Sequence, residues 1–278
     1  MIVTRFAPSP TGRLHVGHAF AAFFAFDAAH VAGGRFLLRI EDIDAARCRP
    51  EFEAAILDDL AWLGLRWDGP VRRQSDHFAD YRAALARLDA LGVLYPCFCT
   101  RADIQREIAA SPAAPHGPDA PLYPGTCRHL GEAEGERRKA AGEAYALRLD
   151  VEKALAAMQG PLTFQDDGHG AIAANTRPFG DVVLARKETP ASYHLSVTVD
   201  DHLQGVTLVT RGEDLLPATH VHRLLQALLG YAVPAYRHHR LLRDEHGQRF
   251  AKRNRSVTLQ ALRESGVTAA EIRRRTGL

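Results

Sequence analysis

Arg5-Phe6-Ala7-Pro8-Ser9-Pro10-Thr11-Gly12-Arg13-Leu14-His15-Val16-Gly17-His18 decides how this chain is read. Before it, Ile2-Val3-Thr4 has the character of a buried strand. After it, Phe20, Phe23, Phe24, Ala28 and Val31 recur at helical spacing. Two prolines, two glycines and two histidines lie between, so the stretch is a strand, a tight loop and a helix start. A helix N-terminus presents unpaired backbone N–H groups and the positive end of the helix dipole, which suits phosphate. Gly17 leaves room for a ligand to approach the backbone, and His15 and His18 can donate to phosphate oxygens.

This run resembles the His-x-Gly-His signature of class I aminoacyl-tRNA synthetases. Its longer context, Arg-Phe-Ala-Pro-Ser-Pro-Thr-Gly-x-Leu-His-x-Gly-His, is similar to the branch that activates glutamate or glutamine. The resemblance implies an α/β fold: a doubly wound parallel, Rossmann-type catalytic core with its ligand at the strand-order switch point and a small inserted zinc-binding lobe. It implies His15, Gly17 and His18 as ATP-binding groups.

A chain of 278 residues can form one large domain or a core with a smaller lobe. A hydrophobic share of 46% supports a sizeable core, and a net charge of +2 means that any basic surface must be local. The longest early apolar run, Ala19 to Phe26, stops at Asp27 and is too short for a membrane span. No basic segment with a cleavage site precedes it. Four cysteines without a secretory signal point to a reducing compartment, with the cytoplasm as default, and to metal or free thiols.

Along the chain, Arg35 to Ile40 reads as a second strand entered through Gly33-Gly34 and leading to Glu41-Asp42-Ile43-Asp44. A carboxylate just past a strand's C-terminal end sits where open α/β sheets bind ligands. The resemblance gives Glu41 the substrate's α-ammonium group; Asp42 and Asp44 are expected to shape the turn. Cys48 reads as a lone thiol. Glu51 to Leu63 is an amphipathic helix ended by Gly64, and Ser75 is expected to cap a helix running to about Leu91. Trp62 and Trp67 read as packing residues. Strands are expected at 144–149, 162–168, 180–186, 206–210 and 240–242, and helices at 218–230, 259–263 and 269–275. His220 and His222 are expected to be surface or capping residues.

Cys97 and Cys99 form a tight Cys-x-Cys pair with Cys127 a short distance on. Three thiolates suit a tetrahedral zinc site lacking one ligand. Tyr123, His129 and His116 compete for that place, and imidazole is chemically the usual choice. The small glutamyl-Q members of the branch carry Cys-x-Cys followed by Tyr-x-x-x-Cys, so the resemblance implies Tyr123. The expected organisation is residues 1–94 and 131–230 as the two parts of the core, 95–130 as the zinc-binding insertion and 231–278 as a C-terminal region.

The branch has Tyr…Val-x-Asp-Asp…Val-x-Arg-Gly-x-Asp, matched here by Tyr193, Val199-Asp200-Asp201 and Val209-Thr210-Arg211-Gly212-Glu213-Asp214. Carried over by position, Tyr193 and Arg211 line the amino-acid pocket with Arg5, Phe6, Ala7, Pro8, Ser9 and Glu41. An arginine at a strand's end can clamp a carboxylate, and Arg5 is expected as a second cation. A glutamine side chain would leave such a cation unpaired, so glutamate is the expected substrate. Where larger members tend to carry an asparagine four residues after the tyrosine, this chain has Val197.

Arg249-Phe250-Ala251-Lys252-Arg253 stands where class I members carry Lys-Met-Ser-Lys-Ser. Only the second lysine, Lys252, is kept; it is expected to neutralise charge on the α-phosphate and pyrophosphate. The larger members continue into a helical anticodon-binding domain, and nothing is expected to build one here. The resemblance thus implies a monomeric ligase using L-glutamate, ATP with Mg²⁺ and Zn²⁺. It also implies tRNA(Asp) bearing queuosine as the acceptor and no membrane partner. Two other readings of the same sequence are a truncated enzyme charging tRNA(Glu) and a non-catalytic RNA-binding paralogue.

Overall fold

The computed structural model describes residues 1–104, 122–186, 189–242 and 257–278. Its strands are β1 Val3–Phe6, β2 Arg35–Ile40, β3 Arg72–Arg73, β4 Leu94–Cys97, β5 Ala146–Leu149, β6 Thr163–Asp166, β7 Gly170–Ala173, β8 Val183–Ala185, β9 Leu208–Gly212 and β10 Ala235–His239. Its helices, numbered in the same way, are α1 Val16–Val31, α2 Pro50–Trp62, α3 Phe78–Ala90, α4 Glu132–Ala140, α5 Val151–Ala156, α6 Tyr193–Leu203, α7 Leu216–Leu229, α8 Leu259–Glu264 and α9 Ala269–Thr276.

β1, β2 and β3 pair in parallel, and so do β9, β10 and β6; only β7, the return strand of a hairpin from β6, is antiparallel in that second group. The two groups meet at β1 and β9, where Thr207 N donates to Val3 O over 3.0 Å and the Val3 N–H donates to Thr207 Oγ1 over 2.9 Å. β1 therefore lies at the reversal: the chain leaves it towards β2 on one side, and β9 and β10 lie on the other. Ligands of open α/β sheets bind at the carboxyl ends of strands flanking such a reversal. α1 covers this seam with Ala19, Phe20, Ala22 and Phe23 fully buried, and Leu259 and Ile272 of the last two helices close the same core. Gly34 is required here. A Cβ on it would stand 2.1 Å from the Ile2 carbonyl oxygen, so only glycine lets the chain enter β2 beside β1.

A separate antiparallel sheet, β4-β5-β8, carries Cys97 at the end of β4.

Two local expectations are corrected and one element is added. Ser75 does not cap α3: its N–H and hydroxyl both donate to Asp42, at 2.9 and 2.6 Å, and a 3-10 turn over Gln74–His77 precedes the helix. The strand expected at 240–242 lies instead at 235–239, because its ladder with β9 runs from Ala235 opposite Leu208 to His239 opposite Gly212. Residues 193–203 form a helix despite the Val197-Thr198-Val199 run, whose β-branched side chains favour strands. Burial of Leu195 and Val199 in the core shared with α3, α7 and β8 overrides that preference. The β6–β7 hairpin was not anticipated past Gly168.

α6 brings Asp200 and Asp201 into the interior. Arg39, fully enclosed in β2, donates to Asp201 Oδ1 over 2.8 Å and to Glu41 Oε1 over 3.2 Å, and lies 3.8 Å from Asp200. Asp200 also accepts from Arg72 (2.7 Å), Gln74 (2.7 Å) and Tyr81 (2.9 Å). Removing one member of such a buried set strands the others without charge partners. Asp200→Ala is expected to cost about 3–5 kcal/mol in urea unfolding. Glu152→Ala, which breaks only the exposed pair with Arg177, is expected to cost less than about 1 kcal/mol.

Candidate active site

The opening loop delivers its side chains as its sequence suggests. His15 is the N-cap of α1: its Nδ1 accepts from the Gly17 N–H over 3.1 Å, and His18 Nδ1 accepts from the His15 N–H over 3.2 Å. Both rings thus cap the helix reciprocally, with centroids 3.8 Å apart. A ring nitrogen that accepts from a backbone N–H carries no proton, so the proton of each neutral ring is on Nε2. Both histidines are set as Nε2–H donors at a helix N-terminus. Thr258 bridges His15, and Leu259 N donates to Leu14 O, so the start of α8 is fastened to this loop. Lys252, with Arg249 and Ala251, lies outside the described residues, as does His116.

A cavity of about 300 Å³ opens beside this helix start. Its wall contains every residue expected for the amino acid: Arg5, Phe6, Ala7, Pro8, Ser9, Glu41, Tyr193 and Arg211, together with His18. Arg5 comes from the end of β1, Glu41 from the residue after β2, and Arg211 from the end of β9. A neighbouring cavity of about 230 Å³ shares Ser9, Glu41 and Tyr193 and is further lined by Arg47, Cys48, Gln74, Arg186 and Ser192. Cys48 is a free, half-buried thiol in that wall.

The two arginines of the first cavity are treated differently. Arg5 is already matched: Nε donates to Asp201 Oδ1 over 2.9 Å and Nη1 to the Thr210 carbonyl over 3.0 Å. Arg211 is as deeply buried but, among the described residues, no carboxylate lies within ion-pair distance of it, Glu213 and Asp214 included. It donates instead to His238 Nε2 (3.2 Å), Tyr193 Oη (3.3 Å), His222 Nδ1 (3.2 Å) and Thr219 Oγ1 (2.5 Å). His222 is thereby moved from the expected surface to the interior, and His220 is half-buried, accepting from the Asn175 N–H over 3.1 Å.

The electrostatics follow from this enclosure. Burial and the Arg211 charge hold His222 well below the ordinary histidine value and His194, which lies 3.2 Å from it, at about 4. Burial, with Arg211 adding to it, also holds His238 at about 4 against the pull of Asp166. Burial raises Glu41 above the usual carboxylate range. Although burial opposes it, Arg5 and Arg39 hold Asp201 below that range. Sequence reasoning did not single out Arg39 or His238, placed His222 at the surface, and gave Asp200 and Asp201 no role. An arginine inside the apolar run Phe36-Leu37-Leu38-Arg39-Ile40 was the available signal.

In the second sheet, Cys97, Cys99 and Cys127 gather with their sulfurs within 4.8 Å of one another. The Tyr123 oxygen is 3.3 Å from Cys97 Sγ and 3.6 Å from Cys99 Sγ, and it accepts from the Cys127 N–H over 2.9 Å. Zn–S bonds of about 2.3 Å put tetrahedral sulfur ligands a little under 4 Å apart, so the spacing fits the ion. His129 is exposed, and no histidine or carboxylate among the described residues joins the cluster.

Residues 1–276 match the family of class I tRNA synthetases (E and Q), catalytic domain, and the chain belongs to that family. Within it, the chain is 52% identical over its full length, and the full length of the relative, to a protein of Rhodobacter capsulatus named glutamyl-Q tRNA(Asp) synthetase. It is 40% identical to the glutamate–tRNA ligase of Aquifex aeolicus, over 95% of this chain but 54% of the relative. A solved structure of a glutamate tRNA ligase from Elizabethkingia meningosepticum, in complex with its amino acid, superposes with a TM-score of 0.77 at 29% identity. That match covers 91% of this chain and 52% of the ligase, so the chain spans about half the length of these ligases. Among the described residues no helix is long and apolar enough to cross a membrane.

The enclosed histidines give a pH prediction. His194 and His238 titrate at about 4 in the fold but at about 6.5 when unfolded, so the unfolded chain binds more protons between those values. Stability therefore rises with pH across that window. Urea unfolding at pH 7, 6 and 5 is expected to show a progressive loss on acidification. His238→Gln, which removes one of these groups, should flatten that slope.

Proposed function

We propose that this chain activates L-glutamate with ATP and passes the glutamyl group to the queuosine base of tRNA(Asp). The observation that carries the first half is Arg211, a buried cation with no counter-ion among the described residues, on the wall of a cavity whose opposite needs Glu41 supplies. A glutamate side chain brings the missing carboxylate, while glutamine would leave the charge unmatched. The second half rests on a relative named for that acceptor, which this chain matches over its whole length.

In this reading Glu41 holds the α-ammonium and Arg211 with Tyr193 the side-chain carboxylate, leaving the α-carboxylate to face His18. An oxygen of that carboxylate attacks the α-phosphorus of ATP; the bond to the β-phosphate oxygen breaks and pyrophosphate leaves. The Nε2–H groups of His15 and His18 and the start of α1 donate to the phosphate oxygens, and Lys252 is assigned to the charge that develops on the pyrophosphate. No side chain has to act as nucleophile. Mg²⁺ enters with ATP. A hydroxyl of the acceptor base then attacks the activated carbonyl and AMP leaves, and the adjoining cavity that shares Ser9, Glu41 and Tyr193 is the approach for that hydroxyl. Cys97, Cys99, Tyr123 and Cys127 are proposed to hold Zn²⁺, which would fix the β4 lobe from outside the chemistry.

Glutamate-dependent pyrophosphate exchange without RNA tests activation. Lys252→Ala is expected to slow it at least about a hundredfold, and Arg211→Met to raise the KM for glutamate by a similar factor. Unchanged exchange in both would sink the assignment. Labelled glutamate should then appear on queuosine-bearing tRNA(Asp) and not on tRNA(Glu); the reverse result would make the chain a minimal charging enzyme. Elemental analysis should find stoichiometric zinc, lost in Cys99→Ser.

A further inference from the structure

Arg211 owes its orientation to a chain of groups that extends well behind the cavity. On one side stands His238 on β10, whose ring is fully enclosed. An arginine can only donate, so His238 Nε2, 3.2 Å from Arg211 Nε and 3.4 Å from the Thr219 hydroxyl, is an acceptor and carries no proton. The ring proton is then on Nδ1, and Nδ1 lies 2.6 Å from Asp166 Oδ2. Asp166 is equally enclosed and is surrounded by donors: the N–H groups of Gly168 and His169 at Oδ1, and the His238 N–H and ring at Oδ2. Although burial would raise it, hydrogen bonds from His169, His238 and Gly168 hold this carboxyl at about 2, so it stays an acceptor throughout. On the other side, His222 Nδ1 accepts from Arg211, which forces its proton to Nε2 and makes it the donor to His194 Nδ1 at 3.2 Å.

We propose that Asp166 and His238 are positioning residues that set the preference for glutamate over glutamine, resting on the function proposed above. Asp166 fixes the Nδ1–H tautomer of His238, and His238 in turn holds the Arg211 guanidinium by a lone pair instead of a charge. The carboxylate that balances Arg211 is thus kept one imidazole away. A carboxylate in direct contact would neutralise Arg211 and remove the reason to select an anionic side chain. With the opposite tautomer, an N–H would face an N–H, and Arg211 would have to turn from its place.

The full chain is tested in glutamate-dependent pyrophosphate exchange. Asp166→Asn lets an amide N–H face Nδ1 and inverts the tautomer. It is expected to raise the KM for glutamate about ten- to a hundredfold with kcat changed far less, and to narrow the ratio of glutamate to glutamine use. Adding His238→Gln to that variant supplies an amide oxygen opposite Arg211 that needs no tautomer, and should bring the KM back towards wild type. Failure of Asp166→Asn to change KM, or of His238→Gln to rescue it, would overturn the relay. If Asp166→Asn does not fold, His238→Ala should show the KM effect and His238→Gln a smaller one; equal effects would count against the proposal. The ¹⁵N spectrum of histidine-labelled wild type, with His238 assigned by its loss in His238→Gln, should show Nδ1 protonated, and a proton on Nε2 would refute it. Wild-type chain that exchanges no pyrophosphate with glutamate would instead bring down the proposed function, and the selectivity role with it.

Discussion

A guanidinium in the middle of a sheet has to be answered by carboxylates, and Arg39 dictates much of what surrounds it. It is fully enclosed, and taking an ion of that size out of water costs several kcal/mol even after relaxation. Asp200 and Asp201 answer it from α6 and Glu41 from the end of its own strand. α6 must therefore lie against β1 and β2 with two consecutive acidic residues turned inward. Asp201 also binds Arg5, and Asp200 also binds Arg72, Gln74 and Tyr81, so β1, β2, β3, α3 and α6 are tied at one point. The same point fixes two walls of the candidate site, because Arg5 and Glu41 both belong to it.

The contrast with Arg211 follows from what each cation is for. Arg39 is paired with three protein carboxylates, Glu41, Asp200 and Asp201, and serves the fold. Arg211 sits at a similar depth, yet its contacts are histidine nitrogens, a phenol and a hydroxyl. A buried charge left to neutral acceptors costs stability, and a fold keeps it when a ligand supplies the balance. The histidines accept this role because burial and the Arg211 charge keep them neutral. One guanidinium organises the sheet, the other is the one proposed here to meet the substrate's anion, and the reversal of strand order at β1 brings them to the same crevice.

How much of this was legible depends on the range of the interaction. The strand–loop–helix of residues 2–31, the position of Glu41 after β2 and that of Arg211 at the end of β9 follow from local spacing, and the cavity collects all eight residues expected for the amino acid. The Cys97, Cys99, Tyr123 and Cys127 grouping was legible because its motif is short. Pairings between distant segments were not. Nothing near Asp200 in sequence announces Arg39, 161 residues away, and His222 looks like a polar position on an amphipathic helix until Arg211 is placed beside it. Ser75 has the composition of a cap, but Asp42 from another element claims its N–H and hydroxyl first. The helix at 193–203 was hidden by β-branched residues whose local preference lost to burial.

The histidines of the opening loop show how one interaction can serve the fold and also the chemistry proposed here. By accepting backbone N–H groups at Nδ1, His15 and His18 satisfy donors that a helix start leaves open, which stabilises α1. The same bonds settle the tautomer and put an N–H on the far side of each ring. A phosphate bound there meets donors whose orientation was fixed during folding, so little reorganisation remains for the reaction step. An Asn or Ser in either place could cap the helix but would reach less far towards a phosphate. A lysine could meet the phosphate but would leave the helix start without its cap. Histidine meets both demands because its two nitrogens are rigidly held on opposite sides of one ring.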